Sequence, residues 1–184
     1  MLKKLNKFSP EHILIIILLL SFLFRNGANA QKPTEYEVKT AFIYNFAKFV
    51  EWQKIEDETL SLCIIGDDPF GTAMKNLEGK TAAGKRIVIR NISSIEGLKK
   101  CRMLFISSSE KGRLSDITGL AKNMGILTIS DTESFAEKGV VINLYMEDDK
   151  VRFEINIDAA ADARLQINSR LLSLARIVHY KNKQ

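Results

Sequence analysis

Four short, mostly apolar runs, each separated from the next by a stretch of helical character, leave this chain few folds to choose from. Leu60–Ile65, Arg86–Ile92, Cys101–Ser107 and Ile126–Ser130 have the length of strands and little of the in–out alternation of a half-exposed sheet. A strand of that kind buries both faces. Between the runs, Pro69 to about Leu77, Ser94–Lys100 and Arg113–Asn123 read as helices. Pro69 suits a first helical turn, and Gly125 suits the stop after the last helix. Strands alternating with helices predict an α/β fold, a mostly parallel sheet with helices on both faces. With strands numbered in chain order, the expected arrangement is 2-1-3-4.

From Gly139 the pattern changes. Val140, Ile142, Leu144 and Met146 alternate with polar neighbours, as do Val151, Phe153, Ile155 and Ile157, with Glu147–Lys150 between them. This predicts a C-terminal antiparallel hairpin with a four-residue loop. In that register Leu144 opposes Phe153 on one side, while Tyr145 opposes Arg152 and Asn143 opposes Glu154 on the other. An Asp158-capped turn and a helix from about Asn168 are expected to follow, with Leu171, Leu174, Ala175 and Val178 as its apolar stripe.

Ahead of the sheet, Thr34–Trp52 reads as a helix opened by a capping box of Thr34 and Glu37. Val38, Ala41, Phe42, Asn45, Phe46, Phe49 and Trp52 share one face. Tyr36, Ile43, Ala47 and Val50 collect on the opposite side. A helix apolar on two sides must cover both. Either it is sandwiched within its own domain, or one face, here Ile43, Ala47 and Val50, meets a partner.

The first thirty residues have the parts of a secretory signal: Lys3, Lys4 and Lys7, the apolar run Ile13–Phe24, and Ala28-Asn29-Ala30 as the cleavage site. A membrane anchor is the alternative, but the run is short of the ~20 residues that span a bilayer. Cleavage predicts residues 1–30 as signal peptide and 31–184 as a single domain, with no membrane insertion afterwards. The leader carries four cations and one carboxylate, so its loss takes the formal charge from +5 to +2. A nearly balanced surface gives no sign of nucleic-acid binding. Two cysteines, Cys63 and Cys101, remain in an oxidising compartment and predict one disulfide, with a pair of buried free thiols as the alternative.

Gly66–Gly71 has the outer spacing of a phosphate loop. It lacks the Lys-Ser/Thr that should follow and carries two carboxylates that would repel phosphate. The paired aspartates also suggest a phosphoacceptor domain, but Ser107-Ser108-Ser109 stands where the acceptor aspartate would be. His179 is the only histidine past the leader, and no metal-ligand spacing occurs. Nothing calls for a cofactor, and a carboxylate pair among Asp67, Asp68, Glu110 and Asp131 is the one catalytic arrangement left open. Asp67, Asp68, Ser107, Glu110 and Asp131 lie at or just past strand ends, where open parallel sheets bind ligands. Asp67, Asp68 and Ser107 are therefore candidate ligand residues, with capping and turn chemistry as the alternative.

The ordered segments EYEVKTAFIYNFAKFVEW, LCIIGDDPFG, CRMLFISSSE, LTISD with FAEKG, VRFEINIDAA and INSRLLSLARIV closely resemble the YfiR/HmsC-like family of periplasmic regulators, over residues 35–178. The resemblance implies a periplasmic protein without catalytic chemistry. Such a protein binds the periplasmic part of an inner-membrane diguanylate cyclase and represses it, lowering cyclic di-GMP and biofilm formation. It also implies the Cys63–Cys101 pair. Some relatives carry a second cysteine pair near the hairpin, and this chain does not. On the residues themselves, the polar side of the hairpin, Arg152 and Glu154, is a candidate contact for that partner or for a homodimer. A small-ligand sensor and an enzyme remain the competing classes.

Overall fold

A computed structural model describes residues 32–52 and 58–181. The expected signal peptide, the start at Gln31 and most of the polar break after Trp52 lie outside these residues. The described elements begin with α1 (Glu35–Phe49), β1 (Val50–Trp52), β2 (Thr59–Ile65), α2 (Thr72–Lys75), β3 (Thr81–Ala82), β4 (Lys85–Ile92) and β5 (Met103–Ile106). They continue with α3 (Leu114–Asn123), β6 (Leu127–Ser130), β7 (Ile142–Glu147), β8 (Lys150–Asn156), α4 (Ile157–Asp162), β9 (Leu165–Ile167), α5 (Ser169–Leu172) and β10 (Arg176–Val178).

Eight strands form one mixed sheet in the order β10-β8-β7-β6-β5-β2-β4-β3. Its centre, β6-β5-β2-β4, is parallel and is the expected 2-1-3-4 order. Period-two burial divides the strands between two cores. Leu60, Leu62, Ile64, Met103 and Phe105 face the layer that holds α1, with Ala73 and Met74 of α2 also buried. Cys63, Ile65, Leu104 and Ile106 face α3 through Leu114, Ile117 and Ala121. Helices thus cover both faces, as strands buried on two sides require.

The hairpin β7–β8 has the predicted register, Leu144↔Phe153, Tyr145↔Arg152 and Asn143↔Glu154. Its loop is tighter than four residues. Asp148 and Asp149 both take positive φ, 48° and 57°, so Glu147 pairs with Lys150 across a two-residue turn whose twist matches the strands.

Several helical expectations change. The helix expected from Pro69 is the shorter Thr72–Lys75, with Pro69 ahead of it, and the one expected at Ser94–Lys100 is a 3-10 helix over Ile95–Lys100. α1 ends at Phe49, and the chain continues as β1, antiparallel to β9 in a separate two-stranded sheet. Beyond Asn168, which caps only the short α5, Arg176–Val178 becomes β10, parallel to β8. Leu174 of the expected stripe is 74% exposed. β-branched Ile177 and Val178 take the open ladder of β8 in preference to a lone helical turn. The cap of α4 is Asn156, not Asp158; its Oδ1 accepts from Ala159 N–H at 2.8 Å.

Candidate functional site

At the carboxyl end of the parallel strands, the loops after β2 and β5 lock together. Gly66, at φ 86°, lets the backbone approach so closely that a Cβ would overlap Ser109 Oγ and come within 2.9 Å of Glu110 Cγ. Asp67 N–H donates to Ser109 Oγ at 3.0 Å, and Asp68 Oδ1 accepts from Phe70 N–H at 2.8 Å. Ser107 is buried and its Oγ accepts from the Ser109 hydroxyl at 3.3 Å. Glu110, also buried, is clamped by both arms of Arg113 at 2.9 Å. The structure thus brings Asp67 and Ser107 to one place and leaves Asp68 beside them. The polar groups it places there are tied into turns.

Over the same end lies the first turn of α1. Lys39 is 4% exposed, and its ammonium bonds Asp131, just past β6, at 2.6 Å and Glu35 at 2.5 Å. Burial alone would pull this ammonium down, but the two carboxylates outweigh it and hold its pKa above the ordinary lysine value. Burial and the charge of Asp131 push the neighbouring Tyr36 phenol up as well, so it stays a neutral hydroxyl rather than a base. Tyr36 meets Phe70 edge to face at 5.3 Å, and Phe70 meets Phe105 at 4.6 Å. This arrangement fixes a helix to a sheet and contains no nucleophile paired with a base.

The helix face assigned to a partner proves to be the inner one. Ile43, Ala47 and Val50 are at most 1% exposed and belong to the core with Phe46. Small Ala47 and branched Ile43 suit close approach of α1 to the sheet, and Phe42 and Phe49 stay partly buried beside them. Periodicity marks two apolar stripes on this helix and cannot say which one docks.

Glu154 is corrected in the same way. It lies on the predicted side of the hairpin but is only 5% exposed. Asn143 Nδ2 donates to its Oε1 at 3.2 Å, and Arg176 on neighbouring β10 donates to its Oε2 through Nε at 3.0 Å and through a second, shorter bond. The Arg176 guanidinium also stacks over the Tyr145 ring at 4.3 Å. Arg152 does stay exposed, 3.6 Å from Glu147. Arg176 escaped the sequence reading because its segment looked helical; as a strand it falls opposite Glu154. Cys63 and Cys101 are bonded, with Cα atoms 5.7 Å apart.

Among the described residues no group of three or more His, Cys, Asp or Glu is placed to hold a metal ion, and no helix is long and apolar enough to cross a membrane. The sequence profile of the YfiR/HmsC-like family matches residues 36–176, from the first turn of α1 to β10. The chain belongs to the YfiR/HmsC-like family. Membership supports a regulatory role. Two solved structures share the architecture of this YfiR/HmsC-like chain at low identity, with TM-scores just above 0.5. A conserved domain protein from Vibrio cholerae matches 78% of this chain and 60% of its own at TM-score 0.52 and 12% identity. An ABC domain in complex with L-Trp from Streptococcus pneumonia matches 78% and 62% at 0.51 and 8%. A ligand-free, open substrate-binding protein with adhesive properties from Clostridium difficile matches 68% and 56% at 0.49 and 12%. The family member described here spans less than two thirds of each of these chains.

Proposed function

We propose that this protein is a periplasmic regulator that binds the periplasmic domain of a membrane-bound diguanylate cyclase and represses it, lowering cyclic di-GMP and biofilm formation. The observation that carries this reading is the family match over residues 36–176, which takes in both cores and the hairpin. Export of residues 31–184 after cleavage of residues 1–30 belongs to the same proposal. We place the contact on what the folded domain leaves open on the polar face of the hairpin: exposed Arg152, with half-buried Tyr145 beside it. Glu154 supports this surface from beneath by holding Arg176 against the Tyr145 ring, whereas Ile43, Ala47 and Val50 lie in the core on the other face of the sheet. A ligand sensor at Asp67, Asp68 and Ser107 is the weaker reading, because the Asp68 and Ser107 side chains and the Asp67 N–H already bond within the chain.

Deleting the gene in a strain that keeps the cyclase should raise cyclic di-GMP, and unchanged levels would contradict the proposal. Arg152→Glu should leave melting within about 0.5 kcal/mol of wild type, as surface substitutions do, yet release the cyclase, since reversing a charge in a complementary interface costs several-fold more. Full repression by this variant would remove Arg152 from the contact while leaving the regulatory reading to the deletion.

A further inference from the structure

The outer edge of β4 is left partly unpaired, and a cleft opens beside it. In a parallel strand, residues whose backbone groups face one neighbour alternate with residues whose groups face the other. Ile87 turns both of its groups outward: its N–H donates to the Lys80 carbonyl at 2.8 Å, and its own carbonyl accepts from Gly79 N–H at 3.0 Å. Ile89 and Asn91 therefore present their groups to the same side. β3 pairs only with Lys85 and Arg86. A side chain takes the Ile89 N–H, which donates to Glu78 Oε2 at 2.7 Å. Among the described residues, nothing pairs with the Ile89 carbonyl or with either backbone group of Asn91.

The cleft measures about 570 Å³. Met74 and half-buried Ile89 give it an apolar floor, and exposed Asp68, Lys75, Glu78 and Asn91 surround them. Two carboxylates against one ammonium leave the rim net negative. Free ladder groups next to a side-chain cleft are the two parts of recognition by strand addition, in which main-chain bonds supply affinity and pockets supply choice.

We propose that this edge docks an extended segment of another protein. An apolar side chain of that segment sits on Met74 and Ile89, and a basic residue two positions away, on the same side of the strand, faces Asp68 and Glu78. β4 and the hairpin lie towards opposite edges of the sheet, so this site is separate from the cyclase contact and does not rest on it. The competing explanation is protective: the two-residue β3 and the Glu78 carboxylate blunt the edge against aggregation, and solvent satisfies the remainder.

Isotope-labelled protein purified from the periplasm should be titrated by NMR with the peptide acetyl-Lys-Thr-Leu-Thr-Lys-amide. Two controls are the same peptide N-methylated at its three central residues and a version with Glu in place of Lys. We expect saturable amide shifts confined to Asn91, Ile92 and residues 74–78. Both control peptides should bind roughly tenfold more weakly, since one loses ladder hydrogen bonds and the other the charge match. Asn91→Pro should weaken binding similarly while melting like the wild type, because that N–H faces away from β2 and an edge strand tolerates proline there. Shifts that do not saturate or that fall elsewhere, or equal binding of the N-methylated peptide, would overturn the proposal. So would unchanged affinity in Asn91→Pro.

Discussion

The two ends of the parallel sheet are built on opposite principles. At the carboxyl end, the side chains of Asp68, Ser107, Glu110 and Asp131 all have partners within the chain, and Asp67 is tied down through its backbone N–H. At the amino end, a disulfide holds the scaffold, and Arg102, Lys122 and Arg164 line a pocket of about 250 Å³, with Lys122 paired to Asp162 at its rim. Open α/β sheets ordinarily bind ligands outside their carboxyl ends. Here α1 and two interlocked loops cover that position. A fold therefore indicates where a site can be, and the hydrogen-bond inventory indicates whether the place is still free.

The largest test of this contrast removes the covalent tie at the amino end. Closing a loop between positions 38 apart in sequence constrains the unfolded chain by about 4 kcal/mol in the chain-entropy model. The double variant Cys63→Ala, Cys101→Ala should lose roughly that much in urea unfolding, less what the reduced chain regains by relaxing. A loss below about 1 kcal/mol would mean that the packing around Cys63 and Cys101 already fixes β2 against β5. Next in size is the carboxyl end. Lys39→Met leaves Asp131 beside an apolar side chain, and breaking a buried pair costs about 3–5 kcal/mol. Because Glu35 is well exposed and Asp131 partly so, about 2–3 kcal/mol is the better expectation. If Lys39→Met proves neutral, the ion pair does not close this end and the contrast fails.

Much of the sheet could be read from the chain because local signals and burial agreed there. The apolar run Leu60–Ile65, the Gly125 stop and the alternation around Phe153 each have one physical meaning. The misreadings arose where local pattern left two solutions and a distant element chose between them. α1 carries two apolar stripes, and the sheet took the one centred on Ile43. Residues 168–178 have a plausible helical stripe, yet the free edge of β8 drew Arg176–Val178 into a strand. That one change also buried Glu154, since its cover comes from β10. The same limit applies to the sites. Asp67 and Ser107 were found as strand-end residues, whereas the cluster of Arg102, Lys122 and Arg164 exists only after folding brings distant segments together.

The smallest expected effect concerns how the tail supports the amino end. Tyr180 donates to Asp162 at 2.9 Å, and Asp162 in turn holds Lys122 at the pocket rim. Burial, with the hydrogen bond to Asp162 second, pushes the Tyr180 phenol from 10.0 up to about 12. A raised pKa means that the folded state favours the neutral phenol. Its contribution is therefore complete below the unfolded value of 10.0 and is lost as pH climbs towards 12. Tyr180→Phe keeps the ring and removes the titration. Tyr180 is more than a third exposed, so the difference from wild type at pH 7 should be small. It should then shrink further between pH 10 and 12 as the wild type alone loses stability through this group. Lys39 also titrates in the alkaline range, but it is common to both proteins and cancels in the difference. Paired urea midpoints at pH 7, 10 and 11 measure it directly. A difference that stays constant with pH would show that the phenol does not couple to Asp162, and that the tail does not hold the rim of the pocket in place.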